Sequence, residues 1–199
     1  MARVVSVESH FQRFVPSGRP GDLWVFGYGS LMWSPGFAYR HRSAAFVHGY
    51  HRSLCVYSHR YRGTPQRPGL VMGLCRGGSC WGIVYRVPRA DAREVLDYLW
   101  HREMRNHVYM ARLVAARMSG RSVRALAFVA DTAHPQFAGD LGLAEAARRV
   151  AQCSGERGHN LEYLERTMSH MHQLGVRDPH LDRVLARAHA LVDGRRDSR

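Results

Sequence analysis

The sequence predicts an α+β fold with a mixed or mostly antiparallel sheet, on three observations. Short apolar runs separated by glycine-rich loops fill the first half. A helix and a hairpin follow, and three amphipathic helices close the chain. Regular alternation of strand and helix is missing, which argues against a doubly wound parallel sheet.

The elements follow from local chemistry. Leu23–Gly27 is a short apolar run ended by the turn-forming stretch Gly27–Gly36, so it reads as a strand. Ala44–Tyr57 mixes apolar and aromatic residues and reads as a long strand bent at Gly49. Ser58–Gly69 is a loop stiffened by Pro65 and Pro68. Leu70–Leu74 and Trp81–Val87 read as two more strands, with a turn at Gly77-Gly78 between them. A helix then starts at Asp91, which pairs with Glu94 in the pattern of a capping box. Val108–Arg117 and Val123–Ala130 form the hairpin, and Asp140 opens the next helix. Asn160 is placed to cap a helix whose apolar face carries Leu161, Leu164, Met168 and Met171, and Gly175 stops it. Asp178-Pro179 starts the last helix, with Leu181, Leu185, Ala188 and Val192 as its stripe. One domain is expected over residues 22–192, between an N-terminal extension (1–21) and a flexible tail (193–199).

Composition narrows the function classes. The 199 residues hold 29 basic and 16 acidic side chains, a net charge of +13, and every basic residue other than histidine is arginine. A nucleic-acid surface would more often mix lysine with arginine, since both neutralise phosphate. The absence of lysine therefore points to a chain-wide bias, and no nucleic-acid partner is expected. The charge is uneven: +10 over residues 1–90 and +3 over 91–199, with no acid between Asp22 and Asp91. A pocket built from that first half would favour an anionic ligand; a solvated arginine-rich face would look the same in sequence. No run approaches the length of a membrane span. No secretory leader is apparent, and the four cysteines make no dense disulfide framework, so a cytoplasmic, non-membrane protein is expected.

Glu103 is the most informative residue. On a helix beginning at Ala92 it falls within the apolar stripe of Ala92, Val95, Leu96 and Leu99. A carboxylate there faces the core or a cleft in it, where desolvation raises its pKa, and the helix C-terminus adds to the effect. Such a group suits proton exchange near neutrality. A purely structural ion pair with Arg102 or Arg105 is the competing explanation. The turn Tyr28-Gly29-Ser30-Leu31 could aim backbone N–H groups into one space and hold an anion, although an ordinary strand-end turn has the same composition. It matches neither a phosphate loop nor a dinucleotide fingerprint. The thirteen histidines and four cysteines fall at no metal-ligand spacing, so neither metal nor cofactor is expected.

Four segments occur together in order: Val25–Trp33, Tyr61–Gly69, Gly77–Val87 and Tyr98–Tyr109. With the tail around Tyr163–Arg183, they resemble the ChaC family of glutathione-specific γ-glutamylcyclotransferases, in its bacterial-type form. The resemblance implies a γ-glutamylcyclotransferase-like fold, a small mixed β-barrel with packed helices and a helical C-terminal part. It implies cleavage of glutathione to 5-oxoproline and cysteinylglycine without a cofactor. It also places the acidic residue of the family on Glu103, substrate contacts on Tyr28, Gly29, Ser30 and Leu31, and a hydroxyl partner on Tyr109. Many relatives carry Gly-Tyr soon after the Arg-Glu pair, where this chain has Asn106-His107-Val108 before Tyr109. Action on other γ-glutamyl amines or peptides, and a non-enzymatic role in binding a small anion, are the alternatives. The sequence leaves the oligomeric state open.

Overall fold

The protein was analysed as a computed structural model, which describes Phe14 and residues 21–196. The expected extension (1–21) lies almost wholly outside these residues. So does the end of the expected tail, while the last helix continues to Arg196.

Five strands close into a barrel in the order β1-β3-β2-β4-β5. They are β1 (Leu23–Gly27), β2 (His41–Ser58), β3 (Gly69–Val87), β4 (Tyr109–Met118) and β5 (Arg121–Ala130). Neighbours are antiparallel except β1 and β5, whose parallel contact at Val25 and Leu126 closes the ring. Closure removes the exposed edges that an open sheet would present. The fold is thus the small mixed barrel with packed helices that the family resemblance implies.

β3 corrects one expectation. Gly77-Gly78 does not turn the chain; it is a bulge inside one continuous strand. His48 pairs with Ser79 and Tyr50 with Arg76, so a single residue, Gly49, faces two on the other strand. All three glycines have positive φ (79°, 92° and 66°), which lets both strands bend together without breaking the ladder. The real turn of this hairpin is the loop between Ser58 and Gly69, two residues that pair directly.

Side chains alternate between two cores, as strand geometry requires. Leu23, Val25, Tyr85, Val87, Leu126 and Phe128 pack with helix α1 (Ala92–Glu103) through Ala92, Val95, Leu96 and Leu99. Phe26, Val84, Ala125, Ala127 and Val129 belong to the larger core, shared with helices α2 (Gly142–Gln152), α3 (Asn160–Gln173) and α4 (Pro179–Arg196). A two-residue hairpin pair, β6 (Ser154–Gly155) and β7 (Gly158–His159), connects α2 to α3.

Helix ends supply further corrections. Asp91 makes no side-chain cap bond and already has helical backbone angles, because a preceding turn (Asp91 N–H to Pro88 O, 3.0 Å) leads into α1. The capping box is therefore not formed. α2 begins at Gly142, with the Asp140 carboxylate accepting its N–H at 2.8 Å. Asp178 does cap α4, accepting from the N–H groups of His180 and Leu181. The buried stripe of α4 is Leu181, Val184 and Ala188, shifted from the expected Leu185 and Val192.

Asn160 does not cap α3. Its fully buried amide accepts from Leu70 N–H (2.6 Å) and donates to Leu70 O (2.7 Å), so it stands in for a missing strand neighbour at the start of β3.

Candidate active site

A cavity of 470 Å³ opens beside the barrel, and Tyr28, Gly29, Ser30, Leu31, Glu103 and Tyr109 all line it. The structure thus brings every sequence-predicted site residue to one place.

The turn after β1 forms the first wall. Ser30–Met32 is a single 3-10 turn. Gly29 lies so close to its neighbours that a Cβ would sit 3.2 Å from Met72 Cβ and 3.3 Å from Tyr163 Oη. The surrounding residues fix the turn through its carbonyl groups. Arg52 Nε donates to Tyr28 O (2.5 Å), and Tyr85 Oη is within bonding distance of Leu31 O (2.7 Å). Arg102 reaches across from α1: Nη1 donates to Ser34 O (2.6 Å) and Pro35 O (2.9 Å), and Nη2 to Ser30 Oγ (2.9 Å). The first N–H groups of such a turn have no partner within it, and Gly29, Ser30 and Leu31 all line the cavity.

Glu103 is the last residue of α1, and its side chain retains 15% of its exposure. Arg102 Nε lies 2.9 Å from Oε1 as an ion pair, and among the described residues no other donor is bonded to that buried oxygen. Burial pushes the Glu103 pKa up; Arg102 and, more weakly, Arg157 pull it down, and burial wins. The outcome is a carboxyl group with raised proton affinity, held beside the Arg102 guanidinium.

Three phenols surround it. Tyr28 Oη donates to Phe128 O (2.5 Å) and Tyr109 Oη to Met72 O (2.9 Å), while Tyr163 Oη accepts from Met72 N–H (3.0 Å). Desolvation, reinforced by Glu103, raises all three pKa values, that of Tyr163 to about 12, so each stays neutral. Because Tyr109 spends its proton on Met72 O, what its oxygen has left to offer a ligand is an acceptor.

The loop after β2 supplies the opposite wall through Ser58–Arg62, whereas Pro65 and Pro68 do not line the cavity. The turn between β6 and β7 pins this loop: Glu156 and Arg157 donate their N–H groups to Arg60 O and Tyr61 O. Arg62, only 6% exposed, donates to His159 O and lies over the Tyr163 ring. Sequence reasoning missed Arg62, Arg102, Arg157 and Tyr163. The available signal was the acid-free, arginine-rich first half, which gave an anion preference but no particular side chain.

Among the described residues, no group of three or more His, Cys, Asp and Glu side chains is placed to hold a metal ion. Nor is any helix among them long and apolar enough to cross a membrane.

The family model of ChaC-like proteins matches residues 23–191. The chain belongs to that family. The glutathione-specific γ-glutamylcyclotransferase of Escherichia coli K12 is 33% identical over 173 residues, covering 86% of this chain and 75% of the relative. The mouse glutathione-specific γ-glutamylcyclotransferase 1 is 36% identical over 175 residues, covering 84% and 78%. A crystal structure of the glutathione-specific γ-glutamylcyclotransferase from yeast superposes with a TM-score of 0.76 at 25% identity, covering 86% of this chain and 99% of that one. These relatives correct the motif-based resemblance. It assigned the chain to a bacterial-type ChaC group, whereas the mouse relative is at least as similar as the bacterial one. The grouping they support is the glutathione-specific γ-glutamylcyclotransferases as a whole, from bacteria, animals and yeast.

Proposed function

We propose that this ChaC-like chain is a γ-glutamylcyclotransferase that converts glutathione to 5-oxoproline and cysteinylglycine, with Glu103 as its general base and acid. The observation that carries the reading is Glu103 itself, a carboxylate ion-paired to Arg102 yet kept basic by burial inside a cavity of tripeptide size.

The chemistry is intramolecular. The substrate's α-amine attacks its own γ-amide carbonyl, a C–N bond closes a five-membered ring, and the original amide C–N bond breaks. Glu103 first takes a proton from the bound α-ammonium, freeing its lone pair, and gives that proton to the departing cysteinyl nitrogen. It then takes the second proton from the ring nitrogen and passes it to the released amine, ending as it began. Nucleophile and electrophile are already tethered, so the protein's work is to fold the γ-glutamyl chain and move the proton. The N–H groups of Gly29, Ser30 and Leu31 hold the α-carboxylate, and Tyr28 lines the wall beside them. The Tyr109 oxygen accepts from the α-ammonium, which brings that nitrogen towards Glu103. Arg102 keeps the turn in place for both contacts.

Incubation with glutathione, γ-glutamyl dipeptides and glutathione disulfide, followed by direct detection of 5-oxoproline, tests the reading. Release from glutathione above the other two is expected. Release from the dipeptides alone overturns glutathione as the substrate while keeping the reaction class, and release from none overturns the class.

A further inference from the structure

Six arginines line the cavity against one acid, Glu103. Four of the six are already committed. Arg60 pairs with Glu156 (2.6 Å) and Arg166 with Glu162 (2.8 Å). Arg62 is held by His159 O and Glu162, and Arg102 by the turn carbonyls and Glu103. Arg105 and Arg157 differ. Both are exposed, and among the described residues neither has a carboxylate in ion-pair contact. Arg157 is nevertheless ordered: its guanidinium lies 4.1 Å from the centre of the Tyr61 ring, and its backbone N–H is bonded to Tyr61 O. A guanidinium held over a ring can still offer its planar fork of N–H donors, the arrangement that suits a carboxylate.

We propose that Arg157 and Arg105, both exposed and both lining the cavity, bind the free carboxylate at the glycine end of the substrate and make the site selective for γ-glutamyl compounds with an anionic far end. This rests on the cyclotransferase reading above and deepens it. Glutathione carries two carboxylates at opposite ends. The turn at Gly29–Leu31 accounts for one and leaves the other unassigned. Two extended residues beyond the scissile amide reach at most about 7 Å, which takes the second carboxylate from the buried Glu103 towards the exposed rim. The two uncommitted cations are exposed lining residues, whereas each of the other four has a carboxylate within 4 Å, with Arg62 and Arg166 sharing Glu162. An uncharged γ-glutamyl amine would leave both guanidiniums in water and gain nothing from them.

The test compares glutathione with its glycine ethyl ester, which keeps the γ-glutamyl group and the scissile amide but lacks the terminal charge. For the unaltered protein, kcat/KM for glutathione should exceed that for the ester by about tenfold or more, the size of a charge-assisted hydrogen bond. The preference should shrink as sodium chloride rises, because exposed charges are screened. In the double variant Arg105→Gln, Arg157→Gln the ratio should fall to within about twofold of unity, with the loss carried by KM for glutathione. Two results overturn the proposal. One is an unaltered protein that releases 5-oxoproline from both compounds equally well. The other is a double variant that keeps the ratio while its acidic pH limb moves for both compounds, which would make Arg157 a modulator of Glu103 alone. An unaltered protein that releases 5-oxoproline from neither compound overturns the cyclotransferase reading, and this proposal with it.

Discussion

Arg102 and Glu103 are consecutive residues with Nε and Oε1 only 2.9 Å apart, yet the two side chains hold opposite kinds of position. Arg102 spends its Nη groups on Ser30, Ser34, Pro35 and Tyr98 and turns Nε to Glu103. Among the described residues no other donor is bonded to Glu103 Oε1. The end of α1 thus provides, in two successive residues, a clamp for the turn and a buried carboxylate beside it. The same guanidinium pairs with Glu103 through Nε and grips the turn through its two Nη groups.

Replacing Glu103 by Gln should reduce 5-oxoproline release by about a thousandfold, within the range of general acid–base catalysis. The amide is isosteric but cannot take up the proton. The fold should not suffer, because the substitution removes a charge whose burial is unfavourable. A thermal melt at neutral pH should therefore give a midpoint equal to or above that of the unaltered protein. A fully active variant would remove Glu103 from the mechanism.

The raised pKa of Glu103 has a defined sign in both activity and stability. Activity needs the ionised form, so the acidic limb of kcat/KM should lie above the usual carboxylate range, and Glu103→Asp should move it. For stability, the folded state holds this proton more tightly than the unfolded chain does. The contribution is present at low pH and is lost as pH rises from about 4.5 through the folded-state value. Urea titrations across that window should show a fall in stability that is absent from Glu103→Gln, once the titration of other groups is subtracted by comparing the two proteins.

Much of this was visible locally. β1 ends where an apolar run meets Gly27, β4 and β5 are a hairpin through Ser119-Gly120, and Glu103 betrayed itself by sitting among Val95, Leu96 and Leu99. What escaped depends on partners distant in sequence. Gly77-Gly78 has the composition of a turn, and only its pairing opposite Gly49 makes it a bulge. Asn160 precedes a helix as caps do, but its amide bonds to Leu70, ninety residues away. The role of Arg102 is set by carbonyl groups of Ser34 and Pro35, which no helical pattern around α1 reveals.

Replacing Tyr109 by Phe tests the assignment of its oxygen as an acceptor. The hydroxyl now donates to Met72 O, 2.9 Å away, and its removal takes an acceptor from the cavity and a donor from that carbonyl. Loss of one hydrogen bond to the charged ammonium should lower kcat/KM for glutathione about tenfold. The ring remains, so the apolar wall formed with Val108 is kept. An unchanged kcat/KM would remove Tyr109 from the substrate contacts and leave it a structural role against Met72.

Asn160 offers a prediction about stability rather than chemistry. Its amide satisfies both the N–H and the carbonyl of Leu70, all inside the protein, and α3 begins at this residue. In Asn160→Ala both backbone groups lose their partner, and each buried unpaired group costs about 1–3 kcal/mol. The urea midpoint should therefore fall by an amount corresponding to at least about 2 kcal/mol. Asn160→Asp separates the two bonds, because a carboxylate can still accept from Leu70 N–H but cannot donate to Leu70 O. At neutral pH it also buries a charge, so it should be no more stable than the alanine variant, and it should recover as pH falls and the carboxyl gains a proton to donate. An alanine variant as stable as the unaltered protein would mean that the start of β3 is held by the barrel and not by α3.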